Sequence, residues 1–399
     1  MPLTDPLDIA IVGAGPTGLA LGIALARRGH AVAVLDHQDE AALAAPADDG
    51  REIALTHTSI GLLRAWGIWE RLPDDAIGRI REARVTQGGP TSTALRFHAS
   101  GKGAEALGAI VANHAIRRAC FQTAAAQPGL RLLPGQRVQR VDIGVDHAVL
   151  VHGGGGRLPA RLVVAADSRF SELRRQLGIG AASHDFGRTM VVCRVAHDSA
   201  DHGEVAHECF GSAQTLAMLP LRGRFSSAVL TVPGARARRL CAAPAADFAK
   251  EIQRHFGDHL GPLRLAGERH AYPLVATYAE RFAGHRFALA GDAAVGMHPV
   301  TAHGFNLGLQ GVQSLAAALG DRMHATDPGR ADRLARYEAR HRRETALIYH
   351  GTNALARLYA SEGGPQRLVG RLVLDAARRM PLVRAAITRQ LVGASPTRF

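Results

Sequence analysis

Lysine is nearly missing from this chain of 399 residues: only Lys102 and Lys250 occur, so its 48 basic side chains are almost all arginine. The net charge of +13 would suit an anionic partner, whether nucleic acid, lipid or an anionic cofactor. No zinc finger, aromatic RNA-binding strand or basic recognition helix accompanies that charge, so nucleic acid is not an expected partner. Cysteine is sparse as well. Cys120, Cys193, Cys209 and Cys241 form no CxxC pair and share no zinc-like spacing with histidine, so no metal is expected and a reducing cytoplasm is the simplest compartment. No apolar run reaches the roughly 18 residues that a membrane span needs. The first strand pattern begins so near Met1 that a signal peptide has no room ahead of it. A Gly-x-Ser-x-Gly elbow and a His-Glu-x-x-His pair are absent too, which removes hydrolase and zinc-enzyme readings.

The hydrophobic fraction of 47% allows a sizeable core and two domains. Asp8 to Val12 reads as a buried parallel strand, apolar on both faces. It runs into Gly13-Ala14-Gly15-Pro16-Thr17-Gly18. Gly13 permits a tight turn, Gly15 lets the backbone approach phosphates, and Gly18 lets a helix pack close to the strand. Leu19 to Arg28 continues as a helix whose N-terminal amides would face a pyrophosphate. A second strand, Ala31 to Leu35, ends at Asp36. That acid stands near the offset of about 20 residues expected for a ribose-binding carboxylate, and it favours an unphosphorylated ribose, as in FAD or NAD.

Beyond this unit the spacing predicts an extension through Arg51-Glu52-Ile53-Ala54-Leu55 and a helix around Ala109 to Gln127. Strands are expected at Val138 to Ile143, Ala148 to His152 and Arg161 to Ala166, with Gly153 to Gly156 as a loop. Between Ser183 and Pro233 the period becomes that of an antiparallel sheet: Thr189 to Val195, Val205 to Phe210, Thr215 to Leu219, Phe225 to Val232. The chain returns to the first unit at Phe287 to Asp292 and reads as helix from Ala331 onward.

Three motifs carry a resemblance. The glycine motif ending in Asp36 is one. Asp167-Ser168-Arg169 with Ser171 and Arg174 is the second. Gly291-Asp292-Ala293-Ala294, followed by His298-Pro299 and Gly304-Phe305-Asn306, is the third. Together they resemble the class A flavoprotein monooxygenases of the para-hydroxybenzoate hydroxylase fold, and most of all the ubiquinone-biosynthesis hydroxylases. Weaker echoes are Ala206 to Phe210 and Leu216 to Leu221. Ser168 replaces the family's usual glycine, Ala302-His303 replaces its Gly-Gln, and Gly311 replaces its aspartate.

The resemblance implies an α/β fold: a Rossmann-like three-layer ββα FAD-binding domain over 1–80, 101–180 and 267–330. An inserted antiparallel substrate-binding sheet would take 81–100 and 181–266, and a helical region 331–399. FAD would be held by Gly13, Gly15, Gly18, Asp36, Arg51, Asp167, Gly291, Asp292, Pro299, Gly304, Phe305 and Asn306. Asp292 would accept hydrogen bonds from the ribityl chain. The helix near Asn306 would aim its positive end at the pyrimidine edge, where negative charge develops on reduction. Asp167 would hold the Arg169 and Arg174 turn near the pyrophosphate. Pro299 would wall the face where oxygen reacts, and His303 would pass the flavin ring, either tuning it or pointing to solvent. Met218, Leu219, Pro220 and Tyr272 would line the substrate pocket.

The implied chemistry is reduction of FAD by NADH or NADPH, addition of O2 at flavin C4a, and attack of the distal peroxide oxygen on an electron-rich ring. No second glycine fingerprint marks a separate nicotinamide domain, and no single side chain stands out as a catalytic base. The subgroup implies a prenylated phenol as substrate. Arg340, Arg342, Arg343, Arg367, Arg371, Arg378 and Arg379 could then rest on anionic lipid at the inner face of the membrane, within a quinone-biosynthesis complex, or form an ordinary solvated face. Two alternatives stay open: a hydroxylase of a soluble aromatic, and a flavin-binding accessory subunit without turnover of its own.

Overall fold

The computed structural model describes residues 7–87, 94–98, 106–199, 202–211, 214–298, 304–324 and 327–360, with side chains to 354 in the last segment. Five parallel strands form the centre of the first sheet in the order Phe287–Leu289, Gly156–Ala165, Leu7–Val12, Val32–Leu35, Leu130–Leu133. Their near-continuous apolar sequences fit burial on both faces. The helix Pro16–Ala26 starts with proline at its first turn and is buried from Gly18 to Ala26. It can lie that close because a side chain at Gly22 would meet Leu130 at 2.6 Å. An antiparallel pair, Val138–Ile143 and Ala148–His152, extends the sheet from Gly156–Ala165.

A three-stranded layer sets Gly108–Ala112 between Glu52–Leu55 and Ile77–Ile80. The spacing predicts helix for residues 109–112. They are strand, and the helix is Asn113–Ala125. Ala-Ile-Val-Ala is too short an apolar run for periodicity to decide, and two strand partners decide it.

The inserted sheet has nine strands. Its main path is Val295–Gly296, His270–Ala279, Ala181–Ala196, Phe225–Pro233, Thr215–Pro220, Val205–Phe210, Glu82–Gln87, Leu95–His98, with Arg264–Leu265 beside Ala181–Ala196. His270–Ala279, placed by the sequence with the first domain, is hydrogen-bonded along Ala181–Ala196 inside this sheet. One face is covered by two helices the sequence reading did not identify, Gly234–Ala242 and Ala245–Phe256, over a core of Val191, Cys193, Leu216, Met218, Leu230 and Phe248. The other face packs through Leu219, Ala206, Ala83 and Val85 against Ala54 and Ile110 of the three-stranded layer. That contact joins the two units.

At the far side, Ala331–Ala360 packs on the helix Gly304–Leu319. The hydroxyl of buried Tyr337 donates to the Leu289 carbonyl at 2.6 Å. His341 is buried and occupies the space beside Gly311, where a Cβ would come within 2.7 Å of its Nε2. The missing aspartate at 311 thus makes room for an imidazole.

Candidate cofactor and substrate site

The glycine loop is shaped by contact. Gly13 has φ of +111°, and a Cβ there would stand 2.5 Å from the Ala166 carbonyl oxygen. A Cβ on Gly18 would fall 2.0 Å from the Gly13 carbonyl oxygen. Gly15 is the opposite case: nothing lies within 4 Å of its missing Cβ. Gly15 is also the helix N-cap and brings no capping side chain. The first intrahelical bond is Leu19 N to Gly15 O at 3.0 Å. Amides ahead of it are thereby left for an anion in that open space. Asp36 supports the loop, accepting from the Ala14 amide at 2.7 Å and the Gln38 amide at 2.8 Å. A dinucleotide pyrophosphate fits this cradle.

The distant third motif closes the same site. Gly291 has φ of +60°, and its missing Cβ would be 2.9 Å from Thr17 Cγ2. The missing Cβ of Gly308 would lie 3.1 Å from Thr17 Oγ1. The first helix and the helix Gly304–Leu319 therefore meet at two glycines around one threonine. Asn306, 3% exposed, links that second helix to the strand Glu52–Leu55. Its Oδ1 accepts from the Thr56 amide at 3.1 Å and its Nδ2 donates to the Ala54 carbonyl at 2.8 Å. Phe305 packs against the main core and Gly304 opens the helix. Pro299 and His303 lie outside the described residues.

Asp292 pairs with Arg169 Nη2 at 2.9 Å, and Arg169 also donates to the Val275 carbonyl at 2.8 Å. Arg174 is buried and donates to the carbonyls of Arg169 and Ala293. Asp167 takes neither arginine as a hydrogen-bonding partner. Its Oδ2 accepts from the Glu172 amide at 2.9 Å, at the start of a short helix, while its buried Oδ1 has no partner among the described residues. Beside Arg169, His298 is buried against the edge of Phe186, with ring centroids 4.5 Å apart. Burial, with Arg169 and His184 nearby, pushes its imidazole down to about 4, so it is neutral near pH 7.

Arg51 forks onto Asp49, with Nε at 3.0 Å, and stacks 5.3 Å from the centre of the Tyr272 ring. Asn113 Nδ2 donates to the same carboxylate at 2.8 Å, and the Tyr272 hydroxyl donates to the Asp49 carbonyl at 2.6 Å. Arg51 and Tyr272 thus hold the 49–51 turn against the inserted sheet. Nearby, Arg194 meets Glu52 at 3.0 Å. Burial pushes the Glu52 carboxyl up to about 6 despite that arginine, with Asp48 and Asp49 adding to the rise. Apart from Arg51 with Asp49, these partners were not legible, since each pair joins segments far apart in sequence.

Of the expected pocket residues, Leu219 faces the three-stranded layer. Met218 points the other way, into the core beneath the two helices. Pro220 is buried at the end of its strand.

Residues 6–350 match the FAD binding domain family. The chain is 38% identical over 391 residues to the ubiquinone hydroxylase UbiM of Neisseria meningitidis, covering 97% of this chain and 84% of that protein. It is 36% identical to the ubiquinone hydroxylase UbiL of Rhodospirillum rubrum, covering 97% and 89%. The p-nitrophenol 4-monooxygenase PnpA of Pseudomonas putida superposes with a TM-score of 0.78 at 17% identity, over 98% of this chain and 99% of that one. That likeness speaks to the fold. The glycine cradle, the threonine seated between Gly291 and Gly308, and these relatives give one conclusion: the chain belongs to the FAD-dependent class A monooxygenases, in the branch of the ubiquinone hydroxylases.

Proposed function

We propose that this protein uses FAD, NAD(P)H and O2 to hydroxylate the aromatic ring of a prenylated phenol in ubiquinone biosynthesis. The observation that carries the reading is a cofactor cradle closed from both ends of the sequence, in a chain 38% identical to a ubiquinone hydroxylase. FAD supplies the redox chemistry and the reactive oxygen; the protein supplies binding, orientation and exclusion of water. In this reading Gly13, Gly15 and Gly18 admit the pyrophosphate, Asp36 the ribose, and Asp292 the ribityl hydroxyls. The N-terminal amides of Gly304–Leu319 face the pyrimidine edge, Pro299 walls the reacting face and His303 tunes it. Leu219 and Tyr272 bound the substrate from the sheet.

Among the described residues no helix is long and apolar enough to cross a membrane. Arg340 is paired with Glu344, and Arg342 stacks 5.2 Å from the Tyr278 ring, so both are engaged within the fold. Arg367, Arg371, Arg378 and Arg379 lie outside the described residues. We place the protein in the cytoplasm, touching the membrane where a prenyl tail resides. Flotation with anionic vesicles at low and high salt tests the contact, and no binding at low salt refutes it.

The test of the main reading is deletion of the gene and identification of the quinone precursors that accumulate. Loss of quinone with build-up of a prenylated phenol lacking one hydroxyl is expected. Unchanged quinone in a host with no second hydroxylase would transfer the protein to soluble aromatic substrates. Tight FAD without substrate-dependent O2 consumption would make it an accessory subunit.

A further inference from the structure

We infer that Glu208 is the group that receives the ring oxygen of the substrate, so that the site selects a neutral, hydroxylated or alkoxylated ring; this rests on the hydroxylase reading above. Strand pairing fixes where Glu208 points. On either side of it, His207 pairs with Met218 and Cys209 with Leu216, residues that carry the core under the two helices. Glu208 pairs with Ala217 on one side and Val85 on the other, on the reverse face. Its row continues through Val229 and Val192 to His270.

The rows flanking that one both touch the cofactor unit. In one, Ala206 and Leu219 pack with Ala54, the strand residue whose carbonyl is held by Asn306. In the other, Met190 stands across from Tyr272, whose hydroxyl reaches Asp49. Glu208 thus lies on the face of the sheet that turns toward the three-stranded layer holding Glu52–Leu55. It is half-buried, so part of its surface still reaches open space.

Nothing in the row explains a carboxyl there. Val85, Ala217, Val229 and Val192 bring no polar side chain, and Arg194, on the same face, is committed to Glu52. Burial alone, with no charged neighbour contributing, pushes the Glu208 carboxyl up to about 8. Near pH 7 it is mostly protonated, with one O–H to donate and one carbonyl oxygen to accept. Such a group matches a phenol hydroxyl or an alkoxy oxygen set among hydrocarbons. It does not match an aromatic carboxylate, which would need a cation. A carboxyl held largely out of water among hydrocarbons costs stability, which is expected of a side chain reserved for a ligand.

The experiment uses the FAD-loaded protein with 2-(3-methylbut-2-enyl)phenol, its analogue lacking the hydroxyl, and 4-hydroxybenzoate. Substrate-stimulated NAD(P)H oxidation gives kcat and KM, and the flavin absorbance change gives Kd. Losing the hydrogen bond in Glu208→Ala is expected to raise KM and Kd for the prenylphenol by about tenfold or more. Glu208→Gln, which still donates and accepts, should stay within about threefold of the wild type. Neither variant should change Kd for the analogue without oxygen. Glu208→Leu should melt at a higher temperature than the wild type. Equal KM values in all three proteins would overturn the inference, as would tighter binding of 4-hydroxybenzoate than of the prenylphenol. A wild type that responds to none of the phenols would reject the hydroxylase reading itself. Glu208 is then judged by melting alone: a stabilised Glu208→Leu supports a carboxyl held ready for a ligand, and a destabilised one overturns it.

Discussion

Replacing Asn306 by alanine should loosen the cofactor site and the fold together. The side chain is 3% exposed and makes two backbone contacts, accepting from Thr56 N at 3.1 Å and donating to Ala54 O at 2.8 Å. Thr56 is itself buried, so its amide would lose its acceptor with no water to replace it. An unsatisfied buried group costs about 1–3 kcal/mol. Ala54 as a residue is half-buried, which puts the share of its carbonyl near the low end. Together the loss should be about 2–4 kcal/mol. Asn306→Asp keeps the acceptor for Thr56 but turns a carboxylate oxygen toward the Ala54 carbonyl in a buried site, so its loss should be at least as large near neutral pH and ease as the acid is protonated. Urea unfolding of the FAD-loaded protein measures both. FAD affinity, followed by flavin fluorescence, should fall in the same order because the clamp positions the strand Glu52–Leu55 against the helix Gly304–Leu319. A change below about 0.5 kcal/mol in Asn306→Ala, the size of an ordinary surface substitution, would refute the clamp.

Three further outcomes are expected. Gly15→Ala should fold like the wild type, since nothing lies within 4 Å of the new methyl, yet bind FAD about tenfold or more weakly because the methyl enters the space for the phosphates; isothermal titration and melting separate the two. Gly18→Ala should fail in both respects, because its methyl would sit 2.0 Å from a main-chain oxygen. Arg194→Ala should lose more stability at pH 8 than at pH 5. The folded Glu52 pKa is already raised to about 6 by burial, so the stability its proton contributes is fully present below the ordinary carboxyl value near 4.5 and is lost as pH rises through about 6. Removing Arg194 strands the carboxylate above that range and leaves a neutral acid below it. A loss that is flat with pH in urea titrations at the two values would contradict this.

Local patterns were legible and spatial partners were not. Gly13, Gly15 and Gly18 announce themselves because one short turn makes all their demands on the backbone. The motif at Gly291 was legible only through resemblance; its seat on Thr17 depends on how two helices cross. Met218 and Leu219 are adjacent in an apolar run, and only strand pairing shows that they face opposite sides. Arg169 stood near Asp167 in sequence, so that pairing was the natural expectation; the turn instead sends Arg169 to Asp292. The strand Gly108–Ala112 was lost to the helix that follows it because five apolar residues have no period long enough to read. Glu208 lay in a recognised segment but gave no sign of its burial, since that depends on Val85 and Ala217 arriving from either side.

The meeting of Thr17 with Gly291 and Gly308 also orders events during synthesis. The glycine loop and first helix leave the ribosome early, yet the back wall of their site comes from residues made much later. Until then the helix, buried along nearly its whole length in the finished protein, has only part of its cover. Contacts so distant in sequence form slowly, and exposed apolar surface invites aggregation in the interval. FAD binds the completed site and stabilises it by mass action, by about 2.7 kcal/mol at a concentration a hundred times Kd. Supply of the cofactor therefore bears on how stable the newly completed chain is, and only a chain that has reached Gly308 can draw on it.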